Sequence, residues 1–510
     1  MTIPHPPTLA GILVGHARDR TGCRAVSAPA GSQTYAEFAR DVARIADRLH
    51  AAGLRRGDRI AVLAHNDLAY VQLVYAASWA GIVLVGLNWR LTAAELRAVL
   101  DDCSPSLLFA DQELASGSDP RCPVVRLDGP EGSEFECWYA AGDSDYPPDA
   151  DQSDESLVLL AYTTGTTGEP KGIQLVERNL REMAQQAAAA WALHQEMRYM
   201  ACLPMFRMSG MSSVTCCVHL GGEVVIPSGS SVDAIAGTVA DRGVTHTSLV
   251  PTLLAGLVAE NTAATFDLSS LEVIIYGSAP SSSSLIDEAM EMLPQTGFSQ
   301  GYGLTETCAG VAVTPVLRRG EVDRHPGSVG RIHPSCECRI VDVSTGRDMG
   351  TGADGEIWLR TPQLTTGYWN KPEETAAAIS ADGWFRTGDI GMIDNDGFLY
   401  VHDRVKNMII IGGENVYSVE VENAIGAHPA VLEAAVVGVP HPHWGETVKA
   451  VVVLRHGQEL DETELLGWLE GRLAGYKHPR IVEFVGDLPR AGSGEILKRA
   501  LRQHFRSSSA

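Results

Sequence analysis

No stretch of the 510-residue chain approaches the ~20 consecutive apolar residues that a bilayer-spanning helix needs. The opening MTIPHPPTLAGILVGHARDR has no basic segment ahead of its short apolar run, so a cleaved leader is not expected there. The 10 cysteines include no Cys-x-x-Cys pair, which argues against zinc held by thiolates and favours reduced thiols in a cytoplasmic protein. Cations are also scarce. Lys and Arg number 40 against 63 Asp and Glu, a formal net charge of -23, which disfavours non-specific nucleic-acid binding and means that any anionic ligand must be met by local cations. No repeat of about 20 to 50 residues is present, which excludes a solenoid or propeller. What remains is an ordinary globular composition, 45% hydrophobic with 51 Gly and 26 Pro, in a chain long enough for more than one domain.

Charge is unevenly spread. From Arg404 onward 12 Lys and Arg face 13 Asp and Glu, whereas the preceding residues hold 28 against 50. After position 489, Arg490, Lys498, Arg499, Arg502 and Arg506 oppose Glu495 alone, which leaves open a polyanionic partner or a solvated helix face. Apolar periodicity places helices over 36–52 and Leu68–Ala80 and buried strands over 58–63, 81–86 and 157–162. That alternation implies α/β layers with mainly parallel strands. After about position 335 short strands and Gly-rich turns imply a β-rich subdomain, and beyond 406 the pattern reads strand, helix, strand, strand, helix, strand, helix. The expected fold is thus α/β: a large N-terminal domain (1–403) of layered α/β subdomains plus a β-rich subdomain, a hinge (404–406), and a small mobile α+β domain (407–510).

The segment from Tyr162 through Thr163, Thr164, Gly165, Thr166, Thr167, Gly168, Glu169, Pro170 and Lys171 to Gly172 is read as a loop between an apolar strand and an amphipathic helix. Its hydroxyls, Gly-permitted amides and single Lys suit phosphate oxygens. Pro170 rules out a Walker A loop, which requires Gly there. Five further motifs follow in order: Tyr276-Gly277-Ser278-Ala279-Pro280, Gly301-Tyr302-Gly303-Leu304-Thr305-Glu306-Thr307, Trp384-Phe385-Arg386-Thr387-Gly388-Asp389, Asp403-Arg404-Val405-Lys406, and Gly412-Gly413-Glu414-Asn415. With the Thr/Gly loop, this series resembles the AMP-forming adenylating superfamily of acyl- and aryl-CoA ligases, luciferases and adenylation domains over nearly the whole chain.

The resemblance implies two steps: an acid attacks the α-phosphorus of ATP to give an acyl adenylate and pyrophosphate, and an acceptor, most often CoA, then displaces AMP. It implies nucleotide contacts from Thr163, Thr164, Gly165, Thr166, Thr167, Gly168, Lys171, Ser278, Ala279, Pro280, Gly301, Tyr302, Gly303, Asp389 and Arg404. Tyr302, between two glycines, can stack on the purine. Thr305 would donate to the α-phosphate, Glu306 would ligate Mg²⁺ through a hard oxygen, Asp389 would accept the ribose hydroxyls, and Lys406 occupies the hinge position. Phe206, Arg207, Gly277, Gly303 and Gly310 are expected to line the substrate pocket, the glycines leaving room. His441-Pro442-His443 reads as a structural loop, because the intervening Pro makes joint metal ligation awkward.

Two departures stand against the pattern. The family carries a Lys near its end that bridges the acid and the α-phosphate, and Glu495 stands in its place. At ~4 Å and an effective dielectric of about 20, that cation contributes roughly 4 kcal/mol, and a carboxylate reverses the sign. Altered chemistry, lost activity and substitution by Lys498 are the three explanations. The second departure is Arg207, where acyl- and aryl-CoA ligases usually have His; a guanidinium repels an ammonium and attracts a small anion, so it stands as a catalytic candidate with Thr305 and Glu306. The leading expectation is an Mg²⁺/ATP-dependent ligase joining a small organic acid to an acceptor such as CoA. The alternatives are a diazotase that activates nitrite toward an aryl amine, and a nucleotide-binding homologue with impaired catalysis.

Overall fold

The computed structural model describes residues 8–29, 31–116, 121–128, 134–164, 170–279, 281–411, 414–490, 496–498 and 500–502. Local signals start and stop its helices. Thr34 and Glu37 exchange side-chain-to-amide hydrogen bonds in a capping box at the head of the Tyr35–Ala51 helix, an arrangement worth about 1 kcal/mol. The Leu68–Ala80 helix begins at Asp67 and ends at Gly81, whose φ of 70° is left-handed, and every residue from Ala69 to Ala80 is buried. Among the described residues no helix is long and apolar enough to cross a membrane.

The chain divides into two compact units. The first comprises Met1–Cys338, Leu359–Phe385 and Gly397–Leu399; the second comprises Arg339–Trp358, Arg386–Asp396 and Tyr400–Ala510. In the first unit a 7-stranded sheet runs in the order Gly367–Tyr368, Pro170–Val176, Leu157–Thr164, Val83–Gly86, Arg59–Leu63, Leu107–Ala110, Val124–Arg126. Its strands from Leu157 outward are parallel. A second sheet carries the adjacent strands Ala309–Val313, Gly297–Leu304, Val273–Gly277, His246–Leu249, Arg198–Met200, Glu223–Val225 and Arg24–Ala28. One continuous core draws Leu159 and Ala161 from the first sheet, Val26, Val224 and Ile275 from the second, and Phe38, Val42, Tyr75 and Leu180 from the helices. Each large apolar side chain so buried contributes about 1.5–3 kcal/mol. The layered α/β expectation therefore holds.

The second unit has its own core. Its 5-stranded sheet runs Glu414–Val416, Ile409–Ile411, Gly445–Leu454, Val431–His441, with Ile481–Val485 lying parallel to Gly445–Leu454. The Ser418–Gly426 and Glu462–Leu469 helices pack Val421, Ile425, Leu465 and Leu469 against Val436, Val448 and Val452. The short strands expected after about position 335 are present as Glu337–Val341, Gly355–Arg360 and Phe398–Arg404, and segments 339–358 and 386–396 cluster with this unit.

One reading is corrected. The Thr/Gly segment is followed by a strand, Pro170–Val176, that turns back on Leu157–Thr164 with Thr163 opposite Lys171 and Thr164 opposite Pro170; the helix starts only at Glu177. The alternation of buried Ile173 and Leu175 with half-buried Gln174 is the two-residue period that the helical reading passed over.

Candidate active site

The Val273–Gly277 and Gly297–Leu304 strands are parallel neighbours with Tyr276 opposite Gln300 and Gly277 opposite Gly301. Two motifs 24 positions apart therefore meet at the carboxyl ends of adjacent strands, where open α/β sheets bind ligands. Burial pushes the Tyr276 phenol up to about 12, so it stays neutral. Ser278 follows at φ 65°, a left-handed turn that takes the chain off the strand end. The room expected at two glycines is not there. A Cβ on Gly277 would stand 2.4 Å from the Gly301 carbonyl oxygen, and one on Gly303 1.8 Å from that of Ala309. These positions are glycine because backbone passes against backbone.

At Gly301 and Gly310 the missing Cβ admits an indole instead: Trp191 lies 3.0 and 3.4 Å from the points where those atoms would be. Trp191 follows the Glu177–Ala190 helix, and its Nε1 donates to Ser299 Oγ at 3.1 Å. The sequence reading missed it, although it is a lone aromatic after a run of four alanines. With Met183, Ala187, Ser212, Gly310, Val311 and His333 it lines a largely apolar cavity.

The Thr305-Glu306 turn is held tightly. Thr307 Oγ1 accepts from the Leu304 amide and donates to the Ala309 carbonyl, both at 2.9 Å, and Cys308 and Ala309 adopt φ of 52° and 99°. Glu306 Oε1 accepts from the Tyr368 hydroxyl at 3.0 Å, while its carbonyl accepts from the Thr365 amide. Burial, aided by the Glu306 charge, pushes the Tyr368 phenol well up, which keeps it a donor. Lys171 Nζ lies 5.1 Å from the Tyr368 ring centroid and pairs with Glu374. Tyr368 thus joins the base of the Thr/Gly hairpin to the Thr-Glu turn, a role no sequence motif announced. Its only signal was an aromatic pair, Tyr368-Trp369, after Gly367.

Phe206 is buried and meets Trp89 edge-on at 6.5 Å. Arg207 is exposed at the head of the Met208–Leu220 helix, its guanidinium 5.9 Å from the Phe206 ring centroid. Gly165, Thr166, Thr167, Gly168, Pro280 and Glu495 lie outside the described residues, as does the side chain of Thr164.

In the second unit Asp389 is buried, and Oδ1 receives Arg404 Nε at 2.9 Å, so the expected ribose carboxylate and its neighbouring cation are a pair. Asp403 Oδ2 accepts from the Ser418 hydroxyl at 2.7 Å and from the Ser418 and Val419 amides, which ties the segment before Lys406 to the start of a helix. Lys498 Nζ contacts Glu422 Oε1 at 2.7 Å and Ser418 Oγ at 2.6 Å. Arg490 pairs with Glu433. His441 Nδ1 accepts the His443 and Trp444 amides at 3.3 and 3.2 Å, a turn-capping role.

Residues 15–369 match the model of a family described as AMP-binding enzyme, and residues 420–495 match that of the AMP-binding enzyme C-terminal domain. The chain belongs to the AMP-binding enzyme family. Feruloyl-CoA synthase of Amycolatopsis sp is 39% identical over 480 residues, covering 92% of this chain and 94% of that protein. Among solved structures, o-succinylbenzoate CoA synthetase (MenE) of Bacillus subtilis in complex with its acyl-adenylate intermediate aligns at TM-score 0.87 and 30% identity, covering 96% of this chain and 97% of that one. ATP-bound MatB of Rhodopseudomonas palustris aligns at TM-score 0.88 and 31% identity over 98% and 99%. None of the three is described as acting on nitrite or an aryl amine. This AMP-binding enzyme is an AMP-forming, acid–CoA ligase-like protein. The C-terminal family match ends at Glu495, and Lys498 is engaged with Glu422 and Ser418.

Proposed function

We propose that this enzyme activates a small aromatic or aryl-substituted carboxylate with Mg²⁺ and ATP and passes the acyl group to CoA. The observation that carries the reading is the cavity beside Gly310: Met183, Ala187, Trp191 and Val311 offer apolar and aromatic surface to a ring, next to the strand end that bears Tyr302. Feruloyl-CoA synthase and o-succinylbenzoate CoA synthetase, both named for acids with an aromatic ring, support it.

In this reading Tyr302 stacks on the purine, Ser278 and Ala279 border it, and Lys171 with the threonine hydroxyls takes the phosphates. Asp389, oriented by Arg404, accepts the ribose hydroxyls, and Lys406 is the pivot. Glu306 fits a hard cation, since Tyr368 fixes its carboxylate through Oε1. Mg²⁺ bound there would supply neutralisation of phosphate charge. A carboxylate oxygen of the acid bonds to the α-phosphorus as the bond to pyrophosphate breaks, with Thr305 donating to the α-phosphate. The CoA thiol, losing its proton, then bonds to the acyl carbon as AMP leaves. Arg207 precedes the helix whose Ser212 lines the cavity and offers a cation for the acid from the first unit, whereas position 495 is a glutamate and offers none.

The test is pyrophosphate release and thioester formation with ferulate, cinnamate, benzoate and phenylacetate, set against malonate and octanoate. Aryl acids are expected to give ATP- and CoA-dependent thioester, and Glu495→Lys is expected to speed adenylation by at least about tenfold. Preference for the aliphatic acids would overturn the aryl assignment, and pyrophosphate release with none of them would favour an inert binder. ATP-dependent loss of an aryl amine with nitrite would replace the carboxylate reading.

A further inference from the structure

At the opposite end of the same strands, the amino ends of two parallel neighbours bring together His246, the first residue of His246–Leu249, and Glu272, which precedes Val273–Gly277. His194, in the connection between the Glu177–Ala190 helix and Arg198–Met200, completes the group. One ligand atom from each lies within 4.8 Å of the others. We propose that His194, His246 and Glu272 form a site for a divalent transition metal of the zinc class, remote from the nucleotide motifs and structural in purpose.

The decisive side chain is His246. It is completely buried, yet its Nε2 has no hydrogen-bond partner among the described residues. Thr245 Oγ1 accepts from the Arg198 amide at 3.0 Å; when it gives its proton to the Arg198 carbonyl at 3.4 Å, it meets His246 Nδ1 at 2.9 Å as an acceptor. Nδ1 then carries the proton and Nε2 presents a lone pair, the state that a metal ligand needs with an oxygen orienting its far nitrogen. A buried imidazole nitrogen left without a partner beside a second imidazole and a carboxylate is costly without a ligand.

His194 is oriented in the same manner. Its Nδ1 lies 3.5 Å from Glu196 Oε2 while its Nε2 faces Glu272 Oε2 at 3.1 Å. Tetrahedral zinc with ligands at about 2.0–2.1 Å sets neighbouring donors about 3.3 Å apart, a contraction of at most about 1.5 Å from the present group that rotation of the partly exposed His194 and Glu272 side chains can make. Two imidazoles and one carboxylate leave a fourth position for water. The backbone is already fixed, since the Glu272 amide bonds the Thr245 carbonyl at 2.7 Å and the Gly297 amide bonds the Glu272 carbonyl at 2.8 Å. The metal would fasten a loop and two strand starts, adding to the sheet hydrogen bonds and to the His194–Glu272 contact that already join them.

The full-length protein, stripped with chelator and dialysed, is titrated with zinc by calorimetry and followed by thermal unfolding; cobalt(II) absorption reports the coordination geometry. About one zinc per chain and a rise of a few degrees in Tm are expected. His194→Ala and Glu272→Gln, both at partly exposed positions, are each expected to weaken binding at least about tenfold and abolish the Tm rise. Unchanged stoichiometry and Tm shift in either variant would overturn the three-residue site, as would failure of the wild type to take up zinc at micromolar concentration.

Discussion

Each unit shields a glutamate from water, Glu177 completely and Glu422 in part, and the two are neutralised differently. Glu177 in the first unit is completely buried and accepts from Ser78 Oγ at 2.6 Å and from the Leu9 amide at 2.9 Å, both neutral donors. Desolvation outweighs those bonds and pushes its carboxyl up to about 7. Glu422 in the second unit is also pushed up by burial, but Lys498 stands 2.7 Å away and pulls against it. The contrast extends to the functional residues. The first unit positions Gly277, Ser278, Gly303 and Glu306 by excluding side chains from close backbone crossings and by neutral hydrogen bonds, whereas the second positions Asp389, Arg404 and Lys498 by pairing opposite charges. The near-neutral balance from Arg404 onward is thus a neutralisation inside the unit, with Lys477 on Glu420 and Arg490 on Glu433 as further cases.

The largest effect is expected where the first unit depends on bare backbone. Gly303→Ala sets a Cβ against the Ala309 carbonyl, an atom that no side-chain rotation can move aside. Unfolding in denaturant should show a loss of about 3 kcal/mol or more, with ATP affinity falling in parallel; a variant within about 1 kcal/mol of wild type would mean that the turn yields. Next comes Glu177→Gln. A carboxyl raised from its ordinary value to about 7 in the folded state stabilises the protein fully below about 4.5, and that contribution is lost as pH rises through 7. The wild type should therefore lose up to about 3 kcal/mol between pH 5 and 8 from this group, and Glu177→Gln should flatten that slope. Parallel pH profiles of wild type and variant would remove Glu177 from the account.

Much of this was legible in the sequence. The Leu68–Ala80 and Ser418–Gly426 helices and the Ile481–Val485 strand fall where periodicity placed them, because their apolar spacing, caps and turn residues agree. The Gly-Tyr-Gly and Tyr-Gly-Ser motifs were readable as a pair, but not the reason for their glycines: a crossing that would leave a Cβ only 1.8 Å from a carbonyl oxygen is a property of two chain segments, not of either one. Trp191, Tyr368 and the His194–His246–Glu272 group were invisible for the same reason, since each acts through partners far away in sequence. Side-chain pairing was the other blind spot. A basic end reads as available charge until Arg490 and Lys498 are found on Glu433 and Glu422.

The smallest expected effect tests that last point. Were Lys498 to replace the family cation, Lys498→Gln would abolish adenylation; as the partner of Glu422 it should leave pyrophosphate release per folded molecule within about twofold of wild type. Stability should respond instead. Without the ammonium the Glu422 carboxyl, already raised by burial, rises further, so the variant's deficit should be slight near pH 5 and grow as pH rises. Because both side chains retain some contact with water, the deficit at pH 8 should be about 1–2 kcal/mol, below the 3–5 kcal/mol typical of a fully buried pair broken on one side. A larger loss of turnover than of stability would return Lys498 to the reaction and make the second unit's pairing a resting arrangement.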